Sequence, residues 1–117
     1  MFVYGTLMRG QPAHAMLAGH ATFVGEGTVP GTLLALGRYP GAVAGRRRVR
    51  GELWLLARPE VLRTLDEYEG YNFERRVTVA MLASGRRVRT WIYRYRGRRD
   101  GRATAIPDGD WRTHRWR

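Results

Sequence analysis

The chain has 117 residues, the size of one ordinary domain, and its 44% hydrophobic content with four Trp and six Tyr is enough for one core. It has no cysteine, which excludes disulfides, thiol nucleophiles and thiolate metal sites, and no apolar run approaches the length of a membrane span. The net charge of +11 points first to nucleic acid, but every basic residue is arginine, Asn72 is the only asparagine, and Ile92 and Ile106 are the only isoleucines. That pattern fits a GC-rich genome writing arginine wherever a positive surface residue is tolerated, so mutational bias competes with selection for nucleic acid. The field still draws in acidic small molecules.

Phe2-Val3-Tyr4 reads as a strand that stops at Gly5, with none of the basic start and long apolar stretch of a signal peptide. A cytoplasmic location is the expectation. A strand ending in Gly-Thr can turn sharply and leave the amides of Gly5, Thr6 and Leu7 pointing into one hollow, which suits a carboxylate or a developing oxyanion. The alternative is a plain β-turn closed by Thr6. Gln11 to Leu17, with Pro12 near its start, is expected to make one or two helical turns, with His14 on their surface.

Ala21–Val24 and Thr28–Leu36 are expected as two strands separated by Gly25-Glu26-Gly27, followed by a turn cluster at 37–41 and a strand from Val49 to Ala57. Arg75–Ala83 and Val88–Arg96 form the clearest hairpin, with Ser84-Gly85 as a two-residue turn. In its second strand Trp91, Tyr93 and Tyr95 share one face, and Val88, Thr90 and Ile92 the other. Apolar residues on both faces imply a sheet covered on two sides or curled into a barrel. The expected class is α+β with a small barrel, in a single domain over 1–117 with an irregular, arginine-rich arm from about 97.

The segment Pro59–Glu69 is predicted to be helical. At about 100° per residue, Val61, Leu62, Leu65 and Tyr68 form one apolar arc, and Glu69 falls on it. Glu60, Arg63 and Glu67 face away, with Arg63 and Glu67 spaced to pair. A carboxylate facing apolar neighbours loses hydration, and the negative helix end lies nearby; both effects raise its pKa and suit a general base near neutral pH. The alternative is a half-buried glutamate paired with one of the arginines, or one that snorkels out beyond the frayed helix end.

Other chemistry is sparse. Ser84 is the only serine and sits in the expected turn, Thr6 has no nearby base in sequence, and His14, His20 and His114 match no zinc spacing. No phosphate-binding glycine loop is present. The tail interleaves Arg98, Arg99, Arg102, Arg112, Arg115 and Arg117 with Trp111 and Trp116, a combination that can grip single-stranded nucleic acid. The favoured alternative is an arm whose Trp111 packs on the domain while its arginines stay in water.

Val3-Tyr4-Gly5-Thr6-Leu7, followed by Arg9-Gly10-Gln11-Pro12, resembles the opening of the gamma-glutamylcyclotransferase-like superfamily. Leu65-Asp66-Glu67-Tyr68-Glu69-Gly70 resembles its second motif, L-D-x-x-E-G, and Tyr39-Pro40-Gly41 and Gly51-Glu52-Leu53 lie between in the expected order. The similarity runs from Phe2 to about Tyr95 and is nearest to the short bacterial members, related to gamma-glutamylamine cyclotransferases. It implies a small mixed β-barrel flanked by short helices with one pocket. It also implies cyclisation of a γ-glutamyl group to 5-oxoproline with release of an amine, and no metal or cofactor. By position, Glu69 matches the catalytic general base, and Tyr4, Gly5, Thr6 and Leu7 match the loop whose backbone holds the glutamyl moiety. The expected partner is a small γ-glutamyl compound, not a membrane; the alternative is a non-catalytic binding protein or an RNA-binding surface built on the tail. Many relatives carry Tyr-x-Arg after the glutamate where this chain has Phe73-Glu74-Arg75, so one phenol is missing, and Tyr71, Tyr93 and Tyr95 are the candidates to replace it.

Overall fold

In a computed structural model, residues 1–99, 101 and 103–114 are described. Six strands form one sheet: β1 (Phe2–Val3), β2 (Ala21–Ala35), β3 (Pro40–Leu56), β4 (Phe73–Leu82), β5 (Arg87–Tyr95) and β6 (Thr104–Ala105). One helix, α1 (Pro59–Glu69), separates β3 from β4. Single 3-10 turns lie at His14–Met16 and Trp111–Thr113.

The sheet closes on itself. β2 pairs antiparallel with β3 along most of its length and also with β4, β4 pairs antiparallel with β5, and β5 runs parallel to both β1 and β3. β1 through β5 therefore make a mixed barrel, and β6 extends it at the far end of β2. Phe2, Leu33, Val29, Val49 and Ile92 fill its interior together with Met8 and Leu17 from the first loop.

Several element boundaries differ from the sequence expectation, each for a physical reason. Gly25-Glu26-Gly27 does not break the chain; β2 runs through it with a register shift between Phe23 and Gly25. A Cβ on Gly27 would collide with the Met81 carbonyl, so glycine is what lets β4 cross β2 closely enough to close the barrel. A second shift follows Pro30, which has no N–H for the ladder. β3 begins at Pro40, well before Val49. Its early part carries Arg46, Arg47 and Arg48 on solvent and pairs with β2, so polar composition hid a strand. The expected Gln11–Leu17 helix is reduced to the turn at His14–Met16. The β4–β5 connection spans residues 83–86, wider than the Ser84-Gly85 pair.

In α1, Pro59 occupies the first turn, and the helix stops at Gly70, whose N–H still reaches the Asp66 carbonyl. Val61 and Leu65 are buried and Leu62 packs beside them, while Tyr68 is 45% exposed and does not enter the core. The helix's ion pair joins Asp66 to Arg75 on β4; Arg63 and Glu67 are not paired among the described residues. Leu65 is fully buried where α1 meets the barrel. Leu65→Ala is expected to lower unfolding free energy by about 2–4 kcal/mol, as measured by urea denaturation.

The C-terminal segment is tied down by Ile106 and Trp111, both buried, and by β6. Arg112 is not left in water: it pairs with Asp110 and Glu26. Arg98 and Arg99 are exposed. The expectations for Arg102, Arg115, Trp116 and Arg117 concern positions outside the described residues.

Candidate active site

The barrel opens at one end into a cavity of about 340 Å³. Its walls include Tyr4, Gly5, Thr6 and Leu7 from the loop after β1, Glu69 from the end of α1, and Tyr93 from β5; Pro40, Phe73 and the aromatic rings of Tyr39, Tyr68 and Tyr71 also contribute. All five residues singled out in the sequence therefore line one space. This follows from topology: β1 is only two residues long and pairs with β5, which carries Tyr93, and α1 ends just before β4, another strand paired with β5.

Glu69 is half-buried, and its carboxylate has no hydrogen-bond or ion-pair partner among the described residues. Burial pushes its pKa up to about 7. The alternative of a glutamate neutralised by arginine does not match this arrangement.

The loop after β1 is held from behind. Met8 N–H donates to the Gly5 carbonyl and Ala13 N–H to the Thr6 carbonyl. His14 Nδ1 lies 2.9 Å from the Leu7 carbonyl and its ring tilts against Trp54, so His14 is a brace for the loop and not a surface residue. The N–H groups of Gly5, Thr6 and Leu7 donate to no acceptor among the described residues. A run of free backbone donors in a concave wall is an anion-binding arrangement. Gly5 has a further reason to be glycine: a Cβ there would lie 2.8 Å from Cγ of Pro40. Gly5→Ala is expected to push the loop off Pro40. It should raise KM by about tenfold or more while leaving the circular dichroism spectrum intact.

The tyrosines of the cavity are not equivalent. The Tyr4 hydroxyl is buried; it donates to the Tyr93 carbonyl at 2.6 Å and accepts from Ala42 N–H at 3.0 Å. Tyr4 thus contributes wall and strand register rather than a free phenol. The Tyr68 hydroxyl lies 3.0 Å from Thr6 Oγ1, bridging α1 to the loop. Tyr93 donates to Asp66 Oδ1 at 2.6 Å, and Arg75 closes on the same carboxylate. Phe73 fills the position of the missing phenol, stacked edge-on to Tyr95 and tilted against Tyr39. Tyr95 does not line the cavity; its hydroxyl donates to the Arg98 carbonyl.

Comparison with known proteins identifies the architecture. The profile of the family described as gamma-glutamyl cyclotransferase, AIG2-like, matches residues 1–113. The chain belongs to that family. A provisionally named gamma-glutamylcyclotransferase of Vibrio cholerae is 35% identical over 113 residues, spanning 95% of this chain and 93% of its own. The gamma-L-glutamyl-butirosin B gamma-glutamyl cyclotransferase of Niallia circulans is 30% identical over 123 residues, spanning 98% of this chain and 76% of its own. Among solved structures, the mouse AIG2-like protein superposes with a TM-score of 0.71 at 28% identity, covering 80% of this chain and 74% of its own. Among the described residues no helix is long and apolar enough to cross a membrane.

Within this gamma-glutamyl cyclotransferase fold, sequence reading named Tyr93 as a candidate phenol but missed two site-supporting groups, Glu52 and Asp66. Glu52 is buried, accepts from Arg9 N–H at 3.0 Å, Arg9 Nε at 2.9 Å and Trp54 Nε1 at 3.2 Å, and so anchors the far end of the loop. Burial pulls its pKa up, but these bonds win and hold it below the usual carboxylate range. Its position one alternation from Trp54, on the same strand face, was the available clue. Asp66 and Tyr93 meet only through tertiary contact, and neither spacing nor periodicity brings them together.

Proposed function

We propose that the protein cyclises the γ-glutamyl group of an amine or amide conjugate to 5-oxoproline, releasing the amine, with Glu69 as general acid/base. One observation carries the reading: a carboxylate with no partner among the described residues, poised near pH 7, shares a cavity with three free backbone amides. Family membership supports the reaction class.

The chemistry needs no protein nucleophile. Glu69 takes a proton from the substrate's α-ammonium, and the freed nitrogen lone pair attacks the γ-carbonyl carbon. The new C–N bond closes the five-membered ring, and negative charge moves to the carbonyl oxygen. Collapse of this intermediate breaks the original C–N bond: Glu69 returns the first proton to the departing nitrogen, and the ring nitrogen sheds its second proton, which the released amine takes up to leave as its ammonium. The Gly5, Thr6 and Leu7 amides hold the α-carboxylate or the oxyanion, both of which are anions that a set of N–H donors stabilises. A walled cavity keeps the glutamyl chain folded for ring closure.

The reading is tested by incubating the protein with γ-glutamyl amines, γ-glutamyl amino acids and glutamine and assaying 5-oxoproline by mass spectrometry. Enzyme-dependent product from at least one amide is the expected result. A panel with no product above the uncatalysed rate would rule the reaction out.

A further inference from the structure

Three tyrosines of the cavity wall, Tyr4, Tyr68 and Tyr93, differ in what their hydroxyls have left to offer. A phenol has one proton to give and two lone pairs to receive. Tyr4 uses both kinds of capacity inside the protein, and Tyr68 is engaged with Thr6. Tyr93 gives its proton to Asp66, yet no donor among the described residues reaches its oxygen. Asp66, as an acceptor, fixes the direction of that bond, and Arg75 grips Asp66 through Nε at 3.0 Å and Nη2 at 3.3 Å. Tyr93 is buried, lines the same cavity as Glu69, and has its hydroxyl pKa driven up by burial, by Asp66 and by the charge of Glu69. The last cause places the two groups in one electrostatic neighbourhood.

We propose that Tyr93 is the second contact of the substrate's α-amine, its oxygen accepting one N–H while Glu69 removes another proton. The inference rests on the reading that a γ-glutamyl compound is cyclised in this cavity. An ammonium carries three N–H bonds. Glu69 alone would leave rotation about the Cα–N bond free. A second acceptor fixes that rotation, so that the lone pair released by deprotonation faces the γ-carbonyl carbon. Asp66 behind the phenol makes its oxygen a stronger acceptor through a hydrogen-bonded chain. The phenol absent at Phe73 on β4 is thus supplied from β5.

The test uses binding, in a Glu69→Gln background that cannot turn over. Calorimetry at pH 6 compares γ-glutamylbenzylamide with glutarylbenzylamide, which lacks only the amine. Glu69→Gln should prefer the amino compound. Adding Tyr93→Phe should shrink that preference by about tenfold, the usual effect of one hydrogen bond to a charged group. Affinity for the glutaryl compound should stay within about twofold, because Asp66 keeps Arg75 and the fold keeps its wall. An unchanged preference, an equal weakening for both compounds, or failure to bind either one overturns the proposal. Wild-type protein that shows the preference but forms no 5-oxoproline overturns the cyclisation reading and leaves the amine contact standing.

Discussion

Glu69→Gln is expected to reduce 5-oxoproline formation by about 10²–10⁴-fold, the usual contribution of a positioned acid/base, and to make the protein more stable at pH 8. The two effects share one cause. Burial raises the Glu69 pKa from 4.5 to about 7. Between those values the folded protein binds more protons than the unfolded chain, so wild-type stability falls as pH rises through that window and levels off above it. Each pKa unit corresponds to about 1.4 kcal/mol, and partial solvent screening of a half-buried group reduces the total to roughly 1–2 kcal/mol. The amide of the Glu69→Gln variant does not ionise and escapes this penalty. Urea denaturation should show the variant ahead by that amount at pH 8 and level with wild type at pH 4. The same titration sets the rate profile: wild-type kcat/KM should climb with pH and bend near 7. A variant that gains nothing at pH 8, or gains equally at pH 4, would show that the carboxylate is comfortable in its site and not held ready for work.

The second large effect lies at Arg9. Its side chain is about half exposed, but its partner Glu52 is almost wholly buried. Arg9→Ala removes the counter-charge and leaves Glu52 with only the residue-9 N–H and Trp54 Nε1. Stranding a buried charge costs roughly 3–5 kcal/mol when nothing compensates. The two remaining bonds should hold the loss to about 2–3 kcal/mol at pH 7. Activity should fall through KM, because residues 5–9 lose the anchor that holds their amides in the cavity wall. The pH sign is opposite to that of Glu69. The Glu52 pKa is depressed in the folded state, so its contribution is fully present above 4.5 and fades as pH drops through the lower folded value. The penalty of Arg9→Ala should accordingly shrink in acid. An equal loss at pH 3.5 and pH 7, or a loss below 0.5 kcal/mol, would contradict the clamp.

How far the site was legible depended on whether local geometry encoded it. Glu69 stood out because helical periodicity set an acid on an apolar arc, and the Gly5-Thr6-Leu7 turn because a strand stopped on glycine. The barrel was readable from β5, whose apolar residues occupy both faces. Local pattern failed where the partner strand did the work. Arg46, Arg47 and Arg48 look like a solvated loop, but they lie within β3, which pairs with β2 on either side of a register shift. Gly25 and Gly27 look like a break until β4 is seen passing over them. Tyr68 belongs to the apolar arc by angle, but its hydroxyl finds Thr6 across the cavity mouth and holds the ring outward. Asp66, Arg75 and Tyr93 lie on three elements, and only the closed barrel joins them.

The most direct test of Glu69 as the base is its own titration. Carboxyl-carbon NMR of the ¹³C-glutamate-labelled protein, assigned by comparison with Glu69→Gln, should show one glutamate with a midpoint near 7. Its resonance should move when γ-glutamylbenzylamide is added at saturating concentration. A Glu69 midpoint near 4.5, indifferent to the amide, would contradict its role as the proton carrier in this cavity.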